Sequence, residues 1–213
     1  MNTEQLIQSL SQNVRPVPRR ALGRRIGLGL ASGAIVTMAL VASLLGIRPD
    51  LHQAMHGFSF WMKWIYTASL GIGAVFAVAR LGRPTPGPLR GLWLLGIPVL
   101  LLAGIGIGEL AVTPSRDWLA MWLGVSWKVC PWLVLTLAMP IFIGLLWSFR
   151  RLAPTRLRAA GATAGLAAGA WAATIYCLHC PEVSAIFVLT WYSLGIVLAA
   201  GAGAVVGPRL MRW

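Results

Sequence analysis

Three cysteines are the residues of this sequence with the most distinctive chemistry. Cys130 stands alone, whereas Cys177 and Cys180 form a C-x-x-C pair that encloses His179 and is followed by Glu182. Thiolate and imidazole groups bind soft metal ions, and neighbouring thiols can form a redox-sensitive disulfide. The sequence therefore offers both chemistries for this group. The alternative interpretation is that the cysteines are small apolar residues packed in a membrane bundle.

Two of the cysteines directly precede a proline, Cys130 before Pro131 and Cys180 before Pro181. Proline suits the first turn of a helix and terminates a helix that leads into it. We therefore expect both thiols at helix ends, exposed to the outer compartment. Without a thioredoxin-like βαβ setting, the C-x-x-C spacing is poor evidence for an oxidoreductase.

Glu109 is a further candidate, because an acid within an apolar segment is a functional candidate by default. It could join the cysteines, His179 and Glu182 as a metal ligand, bridge to Lys63 or Lys128, or reach the lipid headgroups. The sequence offers neither a nucleophile with a base and an orienting group nor a phosphate-binding glycine loop. We therefore expect no enzyme and no cofactor beyond a transient heavy-metal ion at the cysteines.

A short amphipathic helix is predicted near the N-terminus. Its apolar face consists of Leu6, Ile7, Leu10 and Val14. Asn2 or Thr3 can cap its start, and the proline-containing stretch 15–18 ends it. An isolated helix of about 11 residues is marginal in water, so we expect it to fold on a partner. The alternative is a segment that lies on the membrane surface or a disordered tail.

The elements that position these residues are membrane helices. The chain is 58% hydrophobic and 11% charged, whereas a soluble domain carries about 25% charged residues. About 20 apolar residues span the hydrocarbon core as a helix. Six stretches qualify: 26–47, 58–79, 91–112, 127–147, 159–178 and 183–206. We predict an all-α, polytopic six-transmembrane-helix bundle over residues 26–206, with Lys63 and Lys128 able to snorkel to the interface.

The charged residues predict the orientation of this bundle. Of the 18 basic residues, 14 lie in the N-terminal segment, the loops 80–90 and 148–158, or the C-terminal tail. By the positive-inside rule this side is cytoplasmic. We therefore expect both termini in the cytoplasm, with residues 1–25 free to bind a partner and 207–213 as a short tail. The net charge of +13 is then a topology signal, and we expect lipid contact but no direct nucleic-acid binding.

The predicted topology places all three thiols at one face of the membrane. A helical rise of about 1.5 Å per residue brings them to similar heights at the outer ends of helices 4 and 5. Glycines recur at four-residue spacing at Gly29 and Gly33, at Gly104 and Gly108, and through 161, 165 and 169. Such pairs let helices approach closely in lipid, so we expect them to pack the bundle.

Several motifs, in their order and spacing, resemble the NrsF family of membrane anti-sigma factors. They are the N-terminal helix followed by Val17-Pro18-Arg19-Arg20, Cys130 at the head of helix 4, the corner His179-Cys180-Pro181-Glu182, the run Trp191-Tyr192-Ser193-Leu194-Gly195 and the closing Leu210-Met211-Arg212-Trp213. The resemblance covers essentially the whole chain.

The resemblance implies a negative regulator that holds an extracytoplasmic-function (ECF) sigma factor at the inner membrane. The N-terminal segment would bind the sigma factor, with Leu6, Ile7 and Leu10 in a groove of the partner and Arg19 and Arg20 paired with acids beside it. Periplasmic-side cysteines would sense heavy-metal or oxidative stress and cause release. Of the thiols, the pair that matches the family is Cys130 and Cys180, and Cys177 is an additional one. The rival class is a small transporter or a membrane thiol-redox protein.

Overall fold

The computed structural model describes residues 2–12, 21–83, 90–149, 152 and 154–211, and its regular structure there is helical. The α-helices are α1 Thr3–Gln12, α2 Ala21–Leu40, α3 Leu51–Ala54, α4 Phe58–Leu81, α5 Gly96–Val112, α6 Trp118–Leu123, α7 Cys130–Phe149, α8 Leu157–Tyr176, α9 Ala185–Phe187 and α10 Ser193–Leu210. Two π-helical turns join them: Val41–Leu45 extends α2, and Val188–Tyr192 links α9 to α10. Short 3₁₀ segments, Arg90–Leu95 and Ser115–Asp117, precede α5 and α6.

Five helices of the described residues are long and apolar enough to cross a membrane. They are Ala21–Leu45, Phe58–Leu81, Trp93–Val112, Cys130–Phe149 and Ala185–Leu210. The sixth predicted span, 159–178, coincides with α8, which is 20 residues long but rich in alanine and glycine and is less apolar than those five helices. Small side chains carry little hydropathy, and 13 of the 20 residues of α8 are buried inside the bundle. Its composition therefore suits contact with other helices.

Helices α8 and α10 pack against each other in antiparallel directions along most of their lengths. Gly161 faces Gly203, Gly165 faces Ala199 and Gly169 faces Ile196, in each case so closely that a Cβ on the glycine would meet the opposite backbone. Backbones can approach this closely only where side chains are absent. The predicted role of the 161, 165 and 169 glycines in packing is thus confirmed.

Helices α2 and α7 form a second close antiparallel pair. Gly29 lies against Gly144, Gly33 lies against Ile141, and the Thr37 hydroxyl donates to the Leu137 carbonyl at 3.0 Å. The glycine pair of α5 behaves differently, because nothing lies within 4 Å of a Cβ built on Gly104 or Gly108. The prediction that this pair packs the bundle is therefore wrong among the described residues, since α5 lies at the periphery with little of its surface covered.

The antiparallel contacts define two ends of the bundle. The start of α2 lies beside the end of α7, since the Ser148 hydroxyl donates to the Arg25 carbonyl at 2.9 Å. The end of α10 lies beside the start of α8, where Gly207 contacts Gly161. We call this the terminal end. The opposite end contains Cys130, Cys177 and Cys180, and we call it the thiol end.

Helix α1 precedes the bundle. The Gln5 side chain accepts a hydrogen bond from the Asn2 backbone at 3.4 Å, a capping-box contact that makes Asn2 the N-cap. Leu6 and Ile7 are 42% and 62% exposed, so their shared face is not covered by the bundle. Leu10 is helical, whereas Val14, Arg19 and Arg20 lie outside the described residues.

Candidate functional site

The three thiols lie together at the thiol end, and all three are fully buried. The expectation that Cys130 and Cys180 are exposed at helix ends is therefore wrong in one respect. Both do lie at helix ends, but their thiols are buried, with the buried side chains of Tyr176 and Tyr192 among their neighbours. A helix end in a membrane bundle is exposed only if the loops beyond it leave it open.

Local structure brings Cys130 and Cys180 together. Cys130 starts α7, with its N–H bonded to the Ser126 carbonyl at 2.8 Å, and Pro131 occupies the first helical turn. Cys180 ends the turn after α8, with its N–H bonded to the Tyr176 carbonyl at 3.1 Å. The Cys130 and Cys180 thiols therefore lie side by side, close enough for each to affect the pKa of the other. We call these two residues the thiol pair.

Cys177 has different neighbours. Its sulfur lies near the hydroxyls of Thr67 and Tyr192, and Tyr192 is also a neighbour of Cys180. The Tyr192 hydroxyl is fully buried and makes no well-formed hydrogen bond within the described part of the chain. Cys177 and Tyr192 are thus buried polar neighbours of the thiol pair.

Lys63 is a site residue that the sequence analysis missed. The expectation that it snorkels to the interface is wrong, because its side chain is only 1% exposed. Its ammonium group donates to the backbone carbonyls of Cys180 at 3.1 Å and of Glu182 at 2.5 Å. The turn after α8 directs these carbonyls toward the interior of the bundle, where they accept hydrogen bonds from Lys63. The available signal was a lysine within a predicted span that has no acid one helical turn away.

The electrostatic surroundings favour a negative charge on Cys180, which lies in the turn beyond α8. The pKa of its thiol is lowered below the ordinary value, first by the interaction with the neighbouring Cys130 thiol and then by the positive charge of Lys63, against the opposing effect of burial. An ordinary cysteine has a pKa of about 8.5, and the thiolate is the nucleophilic form. Cys180 is therefore the activated member of the thiol pair.

The carboxylates of Glu182 and Glu109, which were predicted as metal ligands, form hydrogen bonds with other segments of the chain. One Glu182 oxygen accepts from the Val125 and Ser126 N–H groups at 2.8 and 2.9 Å and from the Ser126 hydroxyl at 2.9 Å. Glu109 accepts from the Ser184 hydroxyl at 3.0 Å and from the Ala185 N–H at 2.8 Å, where α9 begins.

His179 also has a backbone partner, since its Nδ1 lies 2.8 Å from the Gly46 carbonyl. Among the residues that the structure describes, no three His, Cys, Asp or Glu side chains form a group that could hold a metal ion. The arrangement suits the chemistry of two thiols better than a metal centre with three or four ligands.

The connection between α2 and α4 packs against the turn at the thiol end. The Arg48 N–H donates to the Leu178 carbonyl at 3.1 Å, and its guanidinium reaches the Cys180 carbonyl at 3.5 Å. The same guanidinium holds Asp50 through two bonds of 2.8 and 2.6 Å, which lowers the pKa of that carboxyl. Arg48 thereby ties the α2–α4 connection to the turn that carries Cys180.

Comparison with known proteins identifies the family of this chain. The family model described as NrsF, "Negative regulator of sigma F", matches residues 10–213. The chain is 38% identical to the "Probable anti-sigma-F factor NrsF" of Azospira oryzae over 216 residues, and 38% identical to the "Anti-sigma-F factor NrsF" of Caulobacter vibrioides over 215 residues. Both alignments cover all of this chain and all of the relative. No solved structure matches the chain. Because the family match spans nearly every residue and both relatives align from end to end, the chain belongs to the NrsF family of negative regulators of sigma F.

Proposed function

We propose that this protein is a membrane anti-sigma factor that holds an ECF sigma factor through α1 and releases it when the thiol pair is oxidised. The observation that carries the proposal is the end-to-end similarity to two proteins named as anti-sigma-F factors. The exposed apolar face of α1 supplies the means of binding. The buried thiol pair at the opposite end of the bundle supplies the means of sensing.

The binding half of the proposal rests on α1. Leu6 and Ile7 are exposed on one face of a helix that is too short to be stable alone. Full burial of one such side chain contributes about 1.5–3 kcal/mol. A groove on the sigma factor that covers both side chains would therefore stabilise the helix as it binds. Arg19 and Arg20 follow α1 in the sequence and would pair with acidic groups beside the groove.

The membrane arrangement of the proposal has six crossings. Helix α8 runs antiparallel to both α10 and α4, since Gly165 faces Ala199 and the Thr174 hydroxyl donates to the Thr67 hydroxyl at 3.0 Å. A helix that packs along two apolar spans has the length and position to cross with them. With α8 included, both termini lie in the cytoplasm of the inner membrane and the thiol end faces the periplasm, where disulfides persist.

The sensing half rests on the contact between the thiols of Cys130 and Cys180. Two neighbouring thiols need little movement to form a disulfide, and a two-electron oxidant would take two electrons and two protons from the pair. Glu182, Glu109 and His179 already have backbone partners, which favours oxidation over metal binding as the signal. Oxidation would replace the non-covalent contact of the pair by a covalent bond.

Helices α7 and α2 would carry the change to α1. Cys130 begins α7, which packs along α2, and the linker to α1 joins the start of α2. A tenfold weakening of sigma binding requires about 1.4 kcal/mol of coupling free energy. A shift in the α2 and α7 packing that costs one buried contact is sufficient to supply it.

The decisive experiment is capture of a purified ECF sigma factor by the full-length protein in nanodiscs. We expect Leu6→Asp to weaken capture at least tenfold, because it places a charge on the apolar face. Gln8→Asp is the matched control, since it adds the same charge to an exposed position on the opposite face and should leave capture unchanged. Equal loss in both variants, or no loss in either, would contradict the assignment of α1.

A second arm of this experiment tests sensing. The double variant Cys130→Ser, Cys180→Ser should capture the sigma factor normally but fail to release it after treatment with hydroperoxide, because no disulfide can form. Cys177→Ser is the control and should release like the wild type. Normal release of the sigma factor by the double variant would contradict the proposed sensing by the thiol pair but would not contradict the anti-sigma role.

A further inference from the structure

Lys63 occupies an unusual electrostatic position. Its ammonium is buried and donates to two backbone carbonyls, those of Cys180 and Glu182. Within the described ranges the ion pairs are Arg48 with Asp50 and Arg116 with Asp117, and no carboxylate lies within ion-pair distance of Lys63. A buried charge is costly unless it is paired, and carbonyl dipoles compensate it only in part.

The Lys63 charge acts on the thiols of both Cys177 and Cys180, and Cys180 is the one placed to complete this pairing. Its own carbonyl binds Lys63, and the Lys63 charge acts on its thiol. The carboxylate of Glu182 is turned away toward Val125 and Ser126. The titratable and charged groups that face Cys180 are Lys63 from α4, Cys130 from α7, Tyr176 and Cys177 from the end of α8, Tyr192 from the π-helical turn and Arg48 from the α2–α4 connection.

We propose that Lys63 is a positioning residue for the thiol pair, whose buried ammonium holds the turn of Cys180 and serves as the counter-ion for negative charge on that sulfur. Cys180 is then the thiol that reacts first with a hydroperoxide, and Cys130 is the thiol that closes the disulfide. The inference rests on the proposed oxidation of the pair and is independent of what α1 binds.

The order of steps follows from this assignment. The Cys180 thiolate attacks one peroxide oxygen, so that an S–O bond forms, the O–O bond breaks and the leaving alkoxide takes up the proton that Cys180 had released. The Cys130 sulfur then attacks the sulfur of the resulting sulfenic acid. The S–S bond forms, the S–O bond breaks, and hydroxide leaves with the Cys130 proton as water. Two thiols are oxidised and one hydroperoxide is reduced to an alcohol and water.

Lys63 also affects the equilibrium between thiols and disulfide. A cation beside Cys180 stabilises the reduced pair, because only the reduced form carries a thiolate. A stabilised reduced form raises the reduction potential of a disulfide. Removal of the charge should lower the equilibrium constant for reduction about tenfold, which corresponds to a potential about 30 mV more negative.

The test measures the reduction potential of the thiol pair in the full chain in nanodiscs at pH 7, with the Cys130–Cys180 disulfide identified by mass spectrometry. We expect Lys63→Met to shift the potential by about 30 mV to more negative values. Lys63→Arg keeps the charge and should restore most of the wild-type value. Lys128→Met is the control, because Lys128 is an exposed lysine beside the Trp127 ring at the same end of the bundle.

An unchanged potential in Lys63→Met, or an equal shift in Lys63→Arg, would overturn the proposal. A second measurement keeps Lys63 in place, in case Lys63→Met does not fold. In the single variants Cys130→Ser and Cys180→Ser, a dimedone probe traps the sulfenic acid formed by hydroperoxide. Cys180 should be labelled at least tenfold faster than Cys130, and equal or reversed rates would overturn the assignment. Loss of sigma capture with these results intact would refute the proposed function alone.

Discussion

Several charged side chains at the thiol end form hydrogen bonds that could not be predicted from their residue types. Glu182 and Glu109 were candidates for metal binding, but both accept hydrogen bonds from backbone N–H groups that helices and turns leave unpaired. Lys63, expected at the lipid interface, is buried beside Cys180. In each case the partner is a backbone group of a distant segment, which residue spacing along the chain cannot specify.

The role of Glu182 can be tested by Glu182→Ala. The change removes the acceptor of three hydrogen bonds to Val125 and Ser126, and hydrogen bonds to a charged group contribute about 1.5–3 kcal/mol. We expect the thermal unfolding midpoint in detergent to fall by an amount in keeping with that loss. Asp117→Asn, which breaks an exposed ion pair with Arg116, is the control and should leave the midpoint unchanged. Equal midpoints in the two variants would show that Glu182 does not hold this loop.

Among the helices, glycine spacing predicts close packing correctly for two interfaces and wrongly for a third. The patterns of α2, α8 and α5 look alike in sequence, but only those of α2 and α8 meet another backbone. Four-residue spacing shows that one face of a helix is smooth. Whether a second helix lies on that face depends on how the helices are arranged in the bundle.

This difference predicts opposite effects for the same substitution at two positions. Gly165→Ala places a Cβ against the Ala199 carbonyl, and such overpacking typically costs about 1–3 kcal/mol. Gly104→Ala meets nothing within 4 Å and should be neutral or stabilise the helix by about 0.5–1 kcal/mol. Thermal unfolding of the two purified variants measures both effects. A destabilised Gly104→Ala with an unaffected Gly165→Ala would contradict the observed helix packing.

For the whole molecule, the number of crossings decides how α1 relates to the thiol pair. Hydropathy identifies five spans, and α8 adds a sixth in the proposed arrangement. An even number places both termini on the same side of the membrane, whereas five crossings would place them on opposite sides. The parity of the count is therefore a property that can be measured directly.

Fusion reporters measure this parity. We expect a fluorescent protein that matures only in the cytoplasm to be bright when fused to either terminus. Alkaline phosphatase, which is active only in the periplasm, should be active when fused after Gly124, close to the thiol end, and inactive when fused after Trp213. An active phosphatase at the C-terminus would exclude α8 as a crossing helix.

The sequence alone determined the helical class of the protein, its long apolar spans and the family resemblance, which the comparisons confirmed. These features depend on the composition and spacing of neighbouring residues, and local rules are sufficient to derive them. Sequence also singled out the cysteines at helix ends. Only the tertiary structure decided that Cys130 meets Cys180 in a buried site, that Lys63 lies beside them and that Glu182 binds a loop. Those contacts join segments more than 45 residues apart, so they exist only once the helices have packed.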